Sequence, residues 1–220
     1  MIYFAGKIFT QRITDFMIAI VNYGVGNLFS LESSFNAIGQ QVKVTSNPED
    51  LKNSDKIILP GVGAFGDAAD KLFASGLAEP LITEARNGKP ILGICLGMQL
   101  LFTKSYEFGE HDGLDLIPGS VRDIREVIPS GLKVPQMGWN ALHITQDGGI
   151  FADTHEGEHV YFVHSYSVRC ESQYITATTN YGADLTASVQ SGNVFGVQFH
   201  PEKSGNAGLN ILRAFCEVKS

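Results

Sequence analysis

The sequence predicts an α/β fold: a mostly parallel central sheet with helices on both faces, followed by an antiparallel, strand-rich second half. Three observations point there. Short apolar runs with no polar alternation recur in the first half: "MIAIV" (17–21), "KIILP" (56–60) and "KPILGI" (89–94). Strands of that kind belong to a sheet covered on both sides. Helical apolar spacing lies between them, the alternation expected of a parallel sheet. From "SVRDIR" (120–125) onward the runs become short and turn-bounded, as in antiparallel hairpins.

Taken in order, "MIAIV" ends at "NYGVGN", and a helical pattern follows through Leu28, Leu31, Phe35 and Ile38 with Gly39 as its stop. "QVKVT" (41–45) alternates like a strand, and "KIILP" is stopped by "PGVGAFG" (60–66). Residues 67–87 read as helical with a break near Ser75 and Gly76. "KPILGI" leads into a helix at "LGMQLLF" (96–102). Then come "NALHIT", "HVYFVHSYSVR", "YITATTN" and "LTASVQ" as strands, "VFGVQF" (194–199) as one more buried strand, and a last helix over 205–218. No repeat or low-complexity linker divides the chain, so 17–220 is expected to be one domain. Met17 opens the first clear strand. The stretch "MIYFAGKIFTQRITDF" (1–16) lacks the basic and apolar regions of a secretory signal. It is expected to be an N-terminal extension or a mis-assigned start, with a short ordered arm as the alternative.

Composition narrows the function. A chain of 220 residues holds a full core without disulfide or metal support. With 44% hydrophobic and 18% charged residues it is globular. Its net charge is −7 and no Lys/Arg cluster occurs, which excludes an ordinary nucleic-acid surface and leaves small molecules or another protein as partners. Cys95, Cys170 and Cys216 are too widely spaced for a disulfide framework, so a reducing, cytoplasmic setting is expected. No apolar run approaches the roughly 18 residues of a membrane span.

The chemistry concentrates at "GICLG". It places Cys95 between a buried strand and a helix, the G-x-nucleophile-x-G pattern of a nucleophile elbow. The glycines leave the turn uncrowded, the helix start favours a thiolate, and the Leu96 N–H faces a developing oxyanion. A lone cysteine is ordinarily core; here strand, glycines and helix coincide. "FHPE" supplies a base and its orienter. Pro201 pushes His200 into extended backbone, where His200 and Glu202 would point the same way. "PGVGAFG" lacks the Lys-Ser/Thr of a P-loop, and its Val62 and Gly63 N–H groups suit an oxyanion hole beside Leu96. "YGVGN" has Phe29 where a dinucleotide fingerprint needs its third glycine.

One further pattern competes. "HEGEH" (155–159) fits H-E-x-x-H, the zinc pair of a metallohydrolase. Gly157 inside the motif costs about 1 kcal/mol against Ala in a helix. "VYFV" straight after it has strand composition. The expectation is a solvated loop, with Asp153 and Glu156 capping one helical turn that Gly157 ends, and no metal.

Together, "PGVGAFG", "GICLGMQLLF", "YFVHSY" and "GVQFHPEKSG" resemble the class I, triad-type glutamine amidotransferases. "NYGVGN" and "VPQMGWN" are similar to the branch that forms the glutaminase subunit of imidazole glycerol phosphate synthase. The resemblance runs from Met17 to the C-terminus and implies the family's flavodoxin-like fold. It implies that Cys95, His200 and Glu202 are a catalytic triad acting on L-glutamine without a cofactor. It implies that Gly63, Gln99, Ser165 and Tyr166 hold the glutamine. It also implies a (β/α)₈-barrel cyclase partner facing Asn22, Asn27, Met137, Trp139 and Lys203. The residues alone equally fit an amidotransferase feeding another synthase, such as one acting on a surface-polysaccharide sugar. They also fit an elbow-type cysteine hydrolase or a regulatory subunit that kept the fold.

Overall fold

A computed structural model describes residues 17–219; residues 1–16, where an extension was expected, lie outside them. The first half runs β1 (Ile18–Val21), α1 (Leu28–Ala37), β2 (Val42–Thr45), α2 (Pro48–Asn53), β3 (Lys56–Gly61), α3 (Phe65–Ala74), α4 (Ala78–Arg86), β4 (Ile91–Cys95) and α5 (Leu96–Leu100). Short strands follow: β5 (Phe102–Ser105), β6 (His111–Asp112), β7 (Ile117–Asp123), β8 (Gln136–Ala141) and β9 (His143–Ile144). The chain closes with β10 (His159–His164), β11 (Tyr166–Arg169), β12 (Ile175–Asn180), β13 (Asp184–Ser191), β14 (Val194–Val197) and α6 (Gly205–Glu217).

The main sheet has eight strands in the order β2-β1-β3-β4-β14-β13-β12-β9. The first five are parallel; β13, β12 and β9 extend it antiparallel. This is the expected parallel core with an antiparallel edge. The strand-rich second half also builds two small sheets, β8 with β10, and β11-β7-β5-β6.

Both faces of the main sheet are buried. Ala19 and Val21 point into one apolar layer with Leu72, Leu81 and Met98, whereas Ile18 and Ile20 point into another with Phe35, Leu212 and Phe215. The alternation is geometric: successive strand side chains face opposite sides. Hence the apolar runs show no polar alternation.

Three elements depart from the expectation. The helix α2 is too short to show periodicity, although Pro48 sits in its first turn and the Asn47 side chain accepts from the Glu49 N–H at 3.1 Å. "LGMQLLF" is helical only to Leu100; Phe102 opens β5 and pairs with Ile117. "HVYFVHSYSVR" is two strands, not one. The break at Ser165 sends β10 to β8 and β11 to β7 in a different sheet. The break in 67–87 falls as expected, with α3 ending at Ala74 and Gly76 at φ +74°. No helix among the described residues is long and apolar enough to cross a membrane.

The tightest packing is at the β4–α5 turn. A Cβ on Gly97 would lie 1.8 Å from the Leu59 carbonyl oxygen, and one on Gly93 would lie 2.6 Å from the Gly97 oxygen. These are backbone obstacles that no rotamer relieves. Gly97→Ala should therefore destabilise the fold by about 3 kcal/mol, the upper range for overpacking. Urea unfolding followed by circular dichroism measures it, and an unchanged midpoint would contradict this packing.

Candidate active site

Three neighbouring parallel strands deliver the candidate residues. β3, β4 and β14 are adjacent in the sheet, and their carboxyl ends lead to Val62 and Gly63, to Cys95, and to Gln198 and His200. Open α/β sheets place ligands at this edge. Cys95 stands at φ 54°, ψ −111°, a strained conformation for a residue with a side chain, costing about 1–3 kcal/mol. The turn lifts the thiol off the sheet. The expected helix behind it has only five residues.

The candidate base lies within reach. His200 is 3% exposed, and its Nδ1–H donates to Glu202 Oε1 at 2.8 Å. Glu202 arrives differently from the expectation. His200 is extended, at φ −101° and ψ 97°, but Pro201–Lys203 form a 3₁₀ turn, so Glu202 reaches back by curling rather than by strand alternation. Proline suits the first position of such a turn because its missing N–H has no partner to lose. Ser204, not singled out from the sequence, fixes the turn. Its hydroxyl donates to His200 O at 2.6 Å and accepts from the Tyr161 N–H at 3.0 Å. Burial alone would lower the His200 pKa. Hydrogen bonds to the Cys95 thiol and the Glu202 carboxylate, reinforced by their charges, outweigh it and push the imidazole up to about 9.

A cleft of about 310 Å³ opens over the thiol. It is lined by Cys95 and His200 together with Val62, Gly63, Leu96, Gln99, Ser165 and Tyr166. Every residue expected at the oxyanion or substrate positions therefore meets in one place. The end of β3 sits directly on the elbow, since a Cβ on Gly61 would lie 2.7 Å from Gly97 N. Glu107 and His164 line the cleft too. Glu107 Oε2 accepts from the Phe65 N–H at 2.7 Å, and burial raises its pKa. Its segment, "SYEFGEHDG", has no motif character, so only the fold could reveal it. The buried His164 is driven down to about 4 by burial, with nearby His200 adding to the lowering against the bond its Nδ1–H donates to Tyr166 O at 2.9 Å.

With this geometry in hand, the comparisons are direct. The model of the family "Glutamine amidotransferase class-I" matches residues 19–218. The chain belongs to the class I glutamine amidotransferases. This amidotransferase is 48% identical to the imidazole glycerol phosphate synthase subunit HisH of Syntrophotalea carbinolica over 92% of the chain and 100% of the relative. It is 50% identical to that of Methanothermobacter thermautotrophicus over 92% and 98%. In fold it is similar to a crystal structure of a glutamine amidotransferase, with TM-score 0.70, 18% identity and coverage of 91% and 99%. It is also similar to PurLQS from Thermotoga maritima, with TM-score 0.69, 21% identity and coverage of 91% and 97%.

The remaining candidates of the amidotransferase separate into groups. Met137 and Trp139, two apart on β8, are 63% and 52% exposed. Trp139 stacks edge-on against Tyr161 at 6.1 Å, and Lys203 Nζ sits 5.6 Å from the same tyrosine ring. Asn22 and Asn27 lie in the loop after β1, where Asn22 Oδ1 accepts from the Gly24 N–H at 3.2 Å. In this cluster Trp139 and Lys203 are exposed and were named from the sequence; the half-buried Tyr161 was not.

"HEGEH" forms a turn, with Gly157 at φ +81° and His159 opening β10. Glu156 caps no helix. It accepts from the Ile144 N–H at 2.7 Å and pairs with His143 Nδ1 at 2.8 Å, bracing strand β9. No metal-holding cluster of His, Cys, Asp or Glu occurs among the described residues.

Because the His200 pKa is raised above its ordinary 6.5 to about 9, the stability it contributes is full below the ordinary value. That stability is lost as pH rises through about 9. The stability advantage of the wild type over His200→Gln should accordingly shrink between pH 6 and pH 10, read from paired urea melts. A constant or growing difference would contradict the ion pairing described.

Proposed function

We propose that residues 17–220 form the glutaminase subunit of an imidazole glycerol phosphate synthase, in the cytoplasm. In this reading the chain hydrolyses L-glutamine to glutamate and ammonia. It passes the ammonia to a (β/α)₈-barrel cyclase partner that makes imidazole glycerol phosphate and an aminoimidazole carboxamide ribotide in histidine biosynthesis. The convergence of Cys95 and His200 at one cleft, with Glu202 bonded to the imidazole, carries the enzymatic part. The HisH relatives, at 48% and 50% identity, support the pathway and the partner.

The mechanism follows from the groups present. The Cys95 thiolate attacks the side-chain amide carbon of glutamine, giving a tetrahedral oxyanion. Leu96 and the Val62–Gly63 segment supply N–H groups for it, a contribution commonly worth 10²–10³-fold in rate. His200, held by Glu202, gives its proton to the leaving nitrogen, so ammonia departs and a thioester remains. The now neutral imidazole takes a proton from water, and the hydroxide attacks the thioester. Glutamate leaves and the thiolate is restored. Gln99, Ser165 and Tyr166 hold the amino-acid end. Glu107 is a carboxylate in the same cleft and suits the substrate ammonium. The exposed face of Met137, Trp139 and Lys203, with Asn22 and Asn27, meets the cyclase. Trp139 is the chain's only tryptophan and the largest exposed aromatic of that face. Tryptophans of this kind often dominate an interface.

Cys95→Ala should abolish glutamate release from the complex, a loss of at least about 10³-fold, while glutamine still binds. Undiminished glutamate release by Cys95→Ala or Cys95→Ser would sink the nucleophile. Trp139→Ala should weaken co-purification with a candidate cyclase by about 2 kcal/mol in binding, roughly 30-fold in Kd. The acceptor nucleotide should raise glutamate release in that complex, and turnover of glutamine at full rate by the isolated chain would contradict the coupling.

A further inference from the structure

We propose that Gln198 is a positioning residue for the nucleophile, its side-chain amide donating to the Cys95 sulfur. The inference rests on Cys95 being the nucleophile, as proposed above. Gln198 is fully buried, and its Nε2 lies 3.7 Å from Cys95 Sγ, a normal separation for a large sulfur acceptor.

The direction of that amide is fixed by a chain of hydrogen bonds that starts at a backbone carbonyl. Tyr166 O can only accept. It receives Gln99 Nε2 at 3.0 Å and His164 Nδ1 at 2.9 Å. The same Gln99 nitrogen donates its second proton to Gln198 Oε1 at 3.0 Å. With Oε1 occupied, Nε2 is the end of Gln198 that meets the sulfur. Reversing Gln198 would set two N–H groups against each other and the amide oxygen against a thiolate, so the network has one consistent polarity. His164 adds to this consistency. It is neutral at ordinary pH and donates through Nδ1, so no second cation competes beside His200.

A donor to an ionised acceptor is about twice as strong as one between neutral groups. Gln198 therefore favours the thiolate over the thiol and over the uncharged thioester. It acts where the sulfur carries charge, as when the thiolate leaves during thioester hydrolysis. The network also gives Gln99 two roles. Its nitrogen is committed to Tyr166 and Gln198, and Oε1 is the end left for substrate in the cleft.

The test is the pH dependence of Cys95 alkylation by iodoacetamide in the full chain, which needs no substrate binding. Gln198→Met removes the donor at similar volume, and Gln198→Glu replaces it with an isosteric acceptor. The midpoint of Cys95 alkylation should rise by about one pH unit, a tenfold loss of thiolate, in Gln198→Met, and by more in Gln198→Glu. A purely structural role would lower the unfolding midpoint without moving the titration. Midpoints unchanged in either folded variant would overturn the inference. If wild-type Cys95 is not labelled by a glutamine-analogue electrophile, the nucleophile reading itself fails, independently of the Gln198 result.

Discussion

The structure depends on one close approach, that of Gly97 to the carbonyl of Leu59. Because nothing larger than hydrogen fits between them, α5 lies against the end of β3, and the backbone at Cys95 has no relaxed way to turn from strand into helix. Its positive φ follows from that contact. So does the alignment of the cleft: the end of β3 rests on the elbow, and β14 pairs with the other side of β4. A fixed sulfur with a loop on one side and an imidazole on the other results from the packing of three neighbouring strands. The strain of about 1–3 kcal/mol is held by the buried layers on both faces of the sheet.

The two cleft histidines show how surroundings divide one side-chain chemistry into two. His200 has Glu202 at one ring nitrogen and the Cys95 thiol at the other, and it holds a proton to about pH 9. His164 is just as deeply set but has only a carbonyl as partner, and it gives up its proton near 4. Around neutral pH the cleft therefore contains one imidazolium and one imidazole in fixed places.

Much of this was legible in the sequence, for identifiable reasons. Strands buried on both faces read as unbroken apolar runs, and the elbow reads from two glycines around a cysteine. The gaps are equally physical. The helix α2 has a single buried residue, Leu51, and one point makes no period. The switch of sheets at Ser165 leaves no mark because β10 and β11 are both strands; only their partners differ. Glu107 sits in a segment whose composition is that of any surface loop, and Gln198 reads as one more residue of a buried strand. "HEGEH" misleads in the other direction, since a helical spacing means nothing where Gly157 turns the chain. Sequence pattern reports what repeats along the chain. It is silent about contacts made once, between distant segments.

The strand β10 ties two surfaces of the molecule together. At its outward side, Tyr161 touches Trp139 and lies beneath Lys203. At its inward side, the carbonyl of the same Tyr161 accepts from the His200 N–H at 2.9 Å, and its N–H is held by Ser204. One residue thus has its ring against the exposed Trp139 and Lys203 and its peptide groups on the frame of the imidazole. The path between them contains no loop, only a side chain, a backbone unit and one hydrogen bond. Mechanically it is a short, stiff rod: a load applied to that aromatic patch bears on the seat of His200 before any flexible segment can absorb it.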